Sequence, residues 1–267
     1  MPSAGPWSGW RRVPTLTVVT STTAILDRAL TSDSSRPRLT FYDDATGERI
    51  ELSATTINNW VCKTANLITL DCGLAPGSRI RLHLPRHWLL AVWVLACDLT
   101  GMDVDDGSHT DEAVDLAVVG PDDVAVNNAD EIFACSLAPM GRPFTTALPV
   151  GIRDFTADVR LMPDQAGPFL SPGELGERAA ESEVRLGLGQ HDRPMALSTM
   201  SGAAEVAMPI AQVVDEWLAP LAADGSVVWV RNPIPSACVT RWGSEQITHA
   251  FSPVPAGIEV PDTIRML

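Results

Sequence analysis

His83 and His87, four residues apart, are the first place in this chain where side chains could hold a metal. A zinc pair at that spacing needs both imidazoles on one helical face, and Pro85 between them puts one at a strand end and the other at a helix start. Ordinary surface or capping roles are therefore expected. Ser198, Thr199 and Ser201 before Gly202 lie at a strand-to-helix turn, where a nucleophile or a phosphate cradle belongs. They do not make a Gly-x-Ser-x-Gly elbow, because Leu197 and Met200 stand where other residues are needed, and helix capping by Ser201 is the simpler expectation. Gly187-Leu-Gly189 opens like a dinucleotide fingerprint, but Asp192 occupies the third glycine position and the stretch follows a helix, so it reads as a helix stop. Cys62, Cys72, Cys97, Cys135 and Cys238 contain no Cys-x-x-Cys pair and point to reduced, buried thiols.

Between His87 and Arg142 there is no Lys or Arg, while Asp103, Asp105, Asp106, Asp111, Glu112, Asp115, Asp122, Asp123, Asp130 and Glu131 crowd together. Their spacing does not reproduce the EF-hand loop with its internal glycine and terminal glutamate, so a solvated acidic face is expected rather than a calcium site. The whole chain has 267 residues, with Lys+Arg 19 against Asp+Glu 33 and a net charge of −14, which excludes a nucleic-acid platform. The longest apolar run, Trp88 to Cys97, is about half of the ~20 residues a spanning helix needs, so no membrane partner is expected. Arg11-Arg12 invites comparison with an export signal, but Pro14 and repeated threonines break the apolar run. A cytoplasmic location is expected. Lys63 is the only lysine and Tyr42 the only tyrosine.

The elements that must position these residues alternate between helix and strand signals, predicting an α/β fold of layered, helix-flanked β-sheets. Residues 1–18, with prolines and glycines around Trp7 and Trp10, read as a flexible leader, and 19–267 as one domain. Ser21 to Leu30 predicts a helix, and Leu39 to Tyr42 and Glu48 to Leu52 a hairpin around Asp43-Asp-Ala-Thr-Gly47. Ser53 caps a helix carrying Ile57, Val61 and Ile68 that stops near Gly73. Ile80, Leu82 and Leu84 share one face of a strand ended by Pro85, and Trp88 to Cys97, apolar all round, predicts a helix buried between layers or under a sheet. Further strands are expected at 113–119, 132–137, 195–199 and 227–230, and further helices at 172–186 and 203–222. From Pro233 the tail is expected to be proline-rich with short strand-like pieces.

One stretch carries a resemblance. Leu39-Thr-Phe-Tyr42, Ile50-Glu-Leu-Ser53, the helix to Leu70, Gly73-Leu-Ala-Pro-Gly-Ser-Arg-Ile80, Leu84-Pro85 and the apolar helix ending near Gly101 resemble the opening of the adenylate-forming (AMP-binding) enzymes. That superfamily contains acyl-CoA synthetases, luciferases and peptide-synthetase adenylation domains. Ser78 stands where its Leu-x-Pro-Gly-Asp-x-Val run has aspartate. A second stretch is similar to the segment that follows the family's phosphate loop: Leu170-Ser-Pro-Gly-Glu-Leu175, Gly187-Leu-Gly189, Asp192-Arg193, the strand to Thr199, the helix to Ala222 and Gly225-Ser-Val-Val-Trp-Val230.

The resemblance places the phosphate loop between these two stretches. With Leu175 on the family's leucine, Gly167 falls on the glycine, Ala166 on the lysine and Gln165 on the proline of the closing Pro-Lys-Gly, and Val159-Arg-Leu-Met-Pro-Asp164 fill the hydroxyl and glycine positions. Asp164, Gln165, Ala166 and Gly167 are thus vestigial phosphate-loop positions, and Arg160 is the one cation near them. No aromatic-Gly-x-Thr-Glu run for adenine occurs, and the family's nucleoside pocket and C-terminal lid lie beyond the matched region. The resemblance therefore implies a truncated, catalytically degraded relative, like short members found in actinobacteria, with no catalytic residue and no cofactor, acting as a binding or interaction module. The acidic face or the vestigial cleft is expected to bind a protein or small ligand, and apolar surface near Val227 to Val230 and the Pro-rich tail is expected to need cover, with self-association as a homodimer one route. The alternatives are residual nucleotide or acyl-CoA binding, a half-ligase completed by a second polypeptide, or some other α/β protein.

Overall fold

The computed structural model describes residues 21–105, 112–123, 128–165, 174–198 and 207–267. Helix α1 (Thr22–Asp33) starts at Ser21, whose hydroxyl accepts from the Ala24 N–H. Strands β1 (Pro37–Asp43) and β2 (Glu48–Ser53) form the hairpin, and Gly47 closes its turn at a φ of 73°. Ser53 then caps α2 (Ala54–Asn66) through the Thr56 N–H, and a π-turn, Leu67–Asp71, continues the helix toward Gly73. Strand β3 (Arg79–His83) leads into α3 (Trp88–Thr100), which Gly101 ends in the left-handed conformation. Strands β4 (Asp103–Asp105), β5 (Val114–Val119), β6 (Ala129–Ala134) and β7 (Ile152–Asp154) come next, then α4 (Phe155–Asp158), α5 (Leu175–Leu186) and β8 (Pro194–Leu197). Helices α6 (Ile210–Val213) and α7 (Ala219–Ala222) are joined by a second π-turn, Val214–Leu218. Strand β9 (Val227–Arg231), α8 (Pro235–Ser244), β10 (His249–Ala250) and β11 (Arg265–Met266) complete the order.

Two sheets result. One runs β11-β10-β8-β9-β1-β2 and is parallel except for the hairpin; the other runs β4-β3-β5-β6-β7 and is parallel throughout. Leu39, Phe41, Ala196, Val227 and Trp229 of the first sheet and Ile80, Leu82, Leu116, Val118 and Phe133 of the second share a single apolar core. Helix α3 lies between them. Every one of its residues is buried; at its start His87 meets Phe41 of one sheet with ring centroids 4.7 Å apart, and further along Trp93 meets Phe133 of the other at 6.3 Å. This is the position that an all-apolar helix predicts, because a helix with no polar face has no side to give to water. Trp88, Trp93, Trp217 and Trp229 are fully buried. Each such ring removes roughly 150–250 Å² from water, at about 25 cal/mol per Å² an upper estimate of about 4–6 kcal/mol apiece.

The structure departs from the sequence reading in several places. Strand β6 begins at Ala129, earlier than the expected 132, because pairing with β5 and not hydrophobicity sets its limits. The tail after Pro233 contains a ten-residue helix, α8, with Pro235 in its first turn, where a missing N–H costs nothing. Its Cys238 and Trp242, four apart, pack on Met195, Leu197, Val228 and Val230, so Val227 to Val230 are covered on both faces from within the chain. The expected bare surface there does not exist, and that reason for a homodimer falls. The acidic stretch is not wholly a solvated face either. Asp105 is buried beside Arg81 at 2.9 Å, and Glu131 pairs with Arg153 at 2.6 Å, whereas Asp103, Glu112, Asp122 and Asp130 are exposed. Arginines from β3 and β7 enter the region that holds none of its own. The leader, Asp106, Asp111 and the expected start of a helix at 203 lie outside the described residues.

Candidate functional site

The segment in register with a phosphate loop comes after β7, but not directly. Helix α4, capped by the Asp154 carboxylate, comes between, and the segment itself opens with a 3-10 turn, Val159–Leu161. Val159 is buried in the core, and the Arg160 guanidinium donates to the Gly141 carbonyl at 2.9 Å. A phosphate cradle presents successive backbone N–H groups where a strand passes into a helix; residues 159–161 are instead a helical turn that uses those groups internally. Two side chains of α2 hold the segment from Arg160 to Gln165. The Lys63 ammonium donates to the Arg160 and Met162 carbonyls, and the Asn66 amide donates to the Pro163 and Gln165 carbonyls, both at 2.9 Å. On the far side, buried Asp98 of α3 accepts from the Leu175 N–H at 3.1 Å and from the Thr22 hydroxyl. Burial raises the Asp98 carboxyl above its usual range against the pull of those two bonds. Of the four positions that the resemblance assigns to the phosphate loop, Asp164 and Gln165 are thus at the end of a strap pinned to α2; Ala166 and Gly167 lie outside the described residues, as do Leu170 to Gly173.

Parallel sheets bind ligands beyond the carboxyl ends of their strands. Here those ends carry Asp43 and Asn232 from the first sheet and Arg86 and His87 after β3. Asp43 and Glu48 face each other across the hairpin, and both are buried. Burial raises the Glu48 carboxyl, the neighbouring Asp43 charge adds to this, and a bond from the Met140 N–H at 2.9 Å opposes it. Asp43 accepts from the Asn232 amide and the Ala45 N–H, each at 2.9 Å. Such a pair could hold a proton, but its hydrogen bonds tie the 43–47 turn and the 137–142 turn to the sheet, which is a positioning role. Arg86 and Glu216 form a buried ion pair at 2.6 Å, which Gln212 joins at 2.7 Å. Sequence reading missed both constellations; Glu216 is 130 positions from Arg86, and no spacing rule connects them.

The remaining candidates take structural roles. His87 is the N-cap of α3, its Nδ1 accepting from the Leu89 N–H at 3.2 Å. His83 lies on β3 with its Nε2 3.6 Å from Asp123, so the two imidazoles do not serve one ion. Among the described residues no group of His, Cys, Asp or Glu is placed to hold a metal. Gly187 ends α5 in the left-handed conformation and Asp192 accepts from the Gly189 N–H at 2.8 Å, a helix stop rather than a dinucleotide turn. Ser198 is buried and its N–H donates to the Val230 carbonyl at 2.8 Å; Thr199, Ser201 and Gly202 lie outside the described residues. None of the five cysteines forms a disulfide, and burial pushes the Cys72 thiol up to about 12 and those of Cys97 and Cys135 higher still, so these three are not poised nucleophiles. Cys72 borders an acidic pocket of about 600 Å³ at the amino ends of β5 to β7. Arg153 beside it is held by Asp71, Glu131 and Asp158 at 2.6–2.7 Å.

The fold has a known counterpart. The structure is similar to acetoacetyl-CoA synthetase from Streptomyces lividans, with a TM-score of 0.65 and 15% identity over 86% of this chain and 42% of that one. The helix-flanked sheets are therefore a fold shared with this synthetase, as the resemblance led one to expect, and the chain spans less than half of the synthetase. By sequence it is 38% identical over 253 residues to the "TIGR03089 family protein" of Mycobacterium tuberculosis (strain ATCC 25618 / H37Rv), covering 88% of this chain and 99% of that protein. The chain belongs to that family. No protein-family model matches it.

Proposed function

We propose that this protein is a non-catalytic relative of the adenylate-forming enzymes that works by binding, with a protein or a small ligand as its partner. The observation that carries this reading is the employment of Lys63. An adenylating enzyme needs an ammonium group free to meet phosphate or carboxylate charge, and the single lysine of this chain caps two main-chain carbonyls at residues 160 and 162. The residues in register with the phosphate loop, Val159 to Gln165, carry no hydroxyl, and they begin with a helical turn. Losing one preorganised contact to a transferring phosphoryl group costs about a hundredfold or more in rate, so losing the set leaves no adenylation. Residues 19–267 act as one domain, and five cysteines with no disulfide among them favour a reducing, cytoplasmic setting. Among the described residues no helix is long and apolar enough to cross a membrane.

The test is ATP–pyrophosphate exchange with a panel of carboxylic acids, together with calorimetric titration of ATP and magnesium. Neither exchange nor binding is expected; formation of an acyl-adenylate by the purified chain would refute the proposal. A second reading rests on the 42% coverage of the synthetase: a half-ligase whose missing pocket and lysine come from another polypeptide. Exchange that appears only when a candidate partner is added would establish it. Sedimentation checks self-association, and a mass independent of concentration removes the homodimer.

A further inference from the structure

A pocket of about 420 Å³ opens at the amino ends of the first sheet, the opposite end from Asp43 and Asn232. Three adjacent strands build it. Arg193 directly precedes β8, Ser226 directly precedes β9 and Arg36 directly precedes Pro37 of β1, and these strands are neighbours in the order β8-β9-β1. Neighbouring strands lie about 4.8 Å apart, and the parallel register sets the Arg193 guanidinium and the Ser226 hydroxyl side by side in a row, with the Arg36 guanidinium two residues further back on the next strand, level with Asp224. Ser244 at the end of α8, Gln246 and the exposed ring of His191 complete the wall.

The row is preorganised. Arg193 is locked by Ser226 at 3.0 Å, Thr40 at 2.8 Å and Glu245 at 2.7 Å. Arg36 is steadied by the Asp224 carbonyl at 3.2 Å and the Gln190 carbonyl at 3.3 Å, two neutral acceptors. Among the described residues its guanidinium meets no carboxylate at ion-pair distance, the nearby Asp33 carboxylate accepting from the Arg36 main-chain N–H at 3.1 Å, and only two of its five guanidinium N–H groups are engaged there. Glu245 is the only carboxylate in the wall among the described residues, and it is already engaged by Arg193, by Arg49 at 3.1 Å and by the Tyr42 hydroxyl. The Asp224 carboxylate behind the wall belongs to Arg38 at 2.7 Å. In a chain of net charge −14, the wall of this pocket carries a surplus of positive charge.

We propose that this pocket binds a small phosphate monoester, its phosphoryl oxygens spread between Arg36, Arg193 and the Ser226 and Ser244 hydroxyls, and its organic part in the remaining volume. Two forked guanidiniums with hydroxyls between and beside them suit a tetrahedral group of three acceptor oxygens better than a planar carboxylate. This site is separate from the segment in register with the phosphate loop and does not depend on the reading proposed for that segment.

The experiment titrates the ¹⁵N-labelled full chain with inorganic phosphate and with glycerol 3-phosphate at constant ionic strength, using sodium chloride as the control. Saturable shifts are expected at the Arg36, Ser226, Ser244 and Gln246 amides, with glycerol 3-phosphate binding at least as tightly as phosphate. Arg36→Gln should weaken both by about tenfold, the effect of removing one charge-assisted donor, and Ser244→Ala, at an exposed helix end, should weaken both while leaving the rest of the spectrum in place. Shifts that chloride reproduces, shifts that do not saturate or that centre on residues 159–165, affinities unchanged in both variants, or weaker binding of glycerol 3-phosphate than of phosphate would each overturn the assignment.

Discussion

Replacing His87 by asparagine should abolish a specific part of the protein's acid sensitivity. The His87 ring is fully buried, its Nδ1 accepts from the Leu89 N–H and its Nε2 has no partner among the described residues. Burial, helped by the positive charge of Arg231, lowers its pKa from 6.5 to about 3. Between those values the unfolded chain takes up a proton that the folded chain refuses. The stability is therefore full above pH 6.5 and is lost as the pH falls toward 3. At about 1.4 kcal/mol per pH unit the whole window is worth about 5 kcal/mol, and the part between pH 7 and pH 5 about 2 kcal/mol. For a chain of this size that corresponds to roughly 4–8 °C in Tm.

Asparagine keeps the capping acceptor and does not titrate. Its smaller side chain loses contact with Phe41 and Trp88, a cost of about 1–3 kcal/mol that does not vary with pH. Urea unfolding followed by tryptophan fluorescence at pH 7 and pH 5 separates the two effects. Wild type should lose about 2 kcal/mol more than His87→Asn over that interval. Groups whose carboxyls are held low, such as Glu245 at about 2, lose their contribution only in stronger acid and are common to both proteins. Parallel pH curves for the two proteins would refute the argument, because they would mean that the folded protein admits a proton, and hence water, at this ring.

Three other substitutions test the positioning contacts. Lys63→Met should cost about 1–2 kcal/mol in chemical denaturation and raise amide hydrogen exchange around Met162 to Gln165 more than elsewhere, because the carbonyls it caps would lose their donor. Arg86→Met should cost about 3–5 kcal/mol by stranding Glu216, and the double variant Arg86→Met/Glu216→Leu should recover most of that loss in the same assay. Gly225→Ala should destabilise by about 1–3 kcal/mol, since a Cβ there would lie 2.8 Å from the Asp192 carbonyl oxygen and 3.0 Å from that of Pro220, both backbone atoms; an unchanged denaturation midpoint would contradict it.

How much can be read from the chain depends on the range of the forces involved. Helix α3 declares itself through ten consecutive apolar residues, Trp88 to Cys97, and α2 through Ser53 and the spacing of Ile57, Val61 and Ile68, because burial and capping act within a few turns. Helix α8 was hidden by its prolines, which read as breaks until Pro235 is seen to sit in the first turn. Strand β7 and helix α4 have three and four residues, too few for any period to show. The pairs that join separate elements are longer in range. Arg81 meets Asp105 because β3 and β4 pair in parallel with those two residues opposite each other, and that register is a property of the sheet.

The same distinction is what the proposed reading requires, in which phosphate chemistry is lost from a loop while the fold around it persists. The residue types that grip phosphate belong to the loop alone, and changing them leaves the core untouched. The ends of the loop are a different matter: Asn66 on α2 holds Gln165, and Asp98 on α3 holds Leu175, both from helices whose other faces pack into the single core. Lys63 stands three residues before Asn66 on the same face of α2, so the ammonium group and the amide grip one strap. Freeing Lys63 to meet a substrate would release the Arg160 and Met162 carbonyls, and with them the segment whose position any phosphate site would need. In this chain, then, the order that keeps the strap in place and the charge that adenylation requires draw on the same side chain.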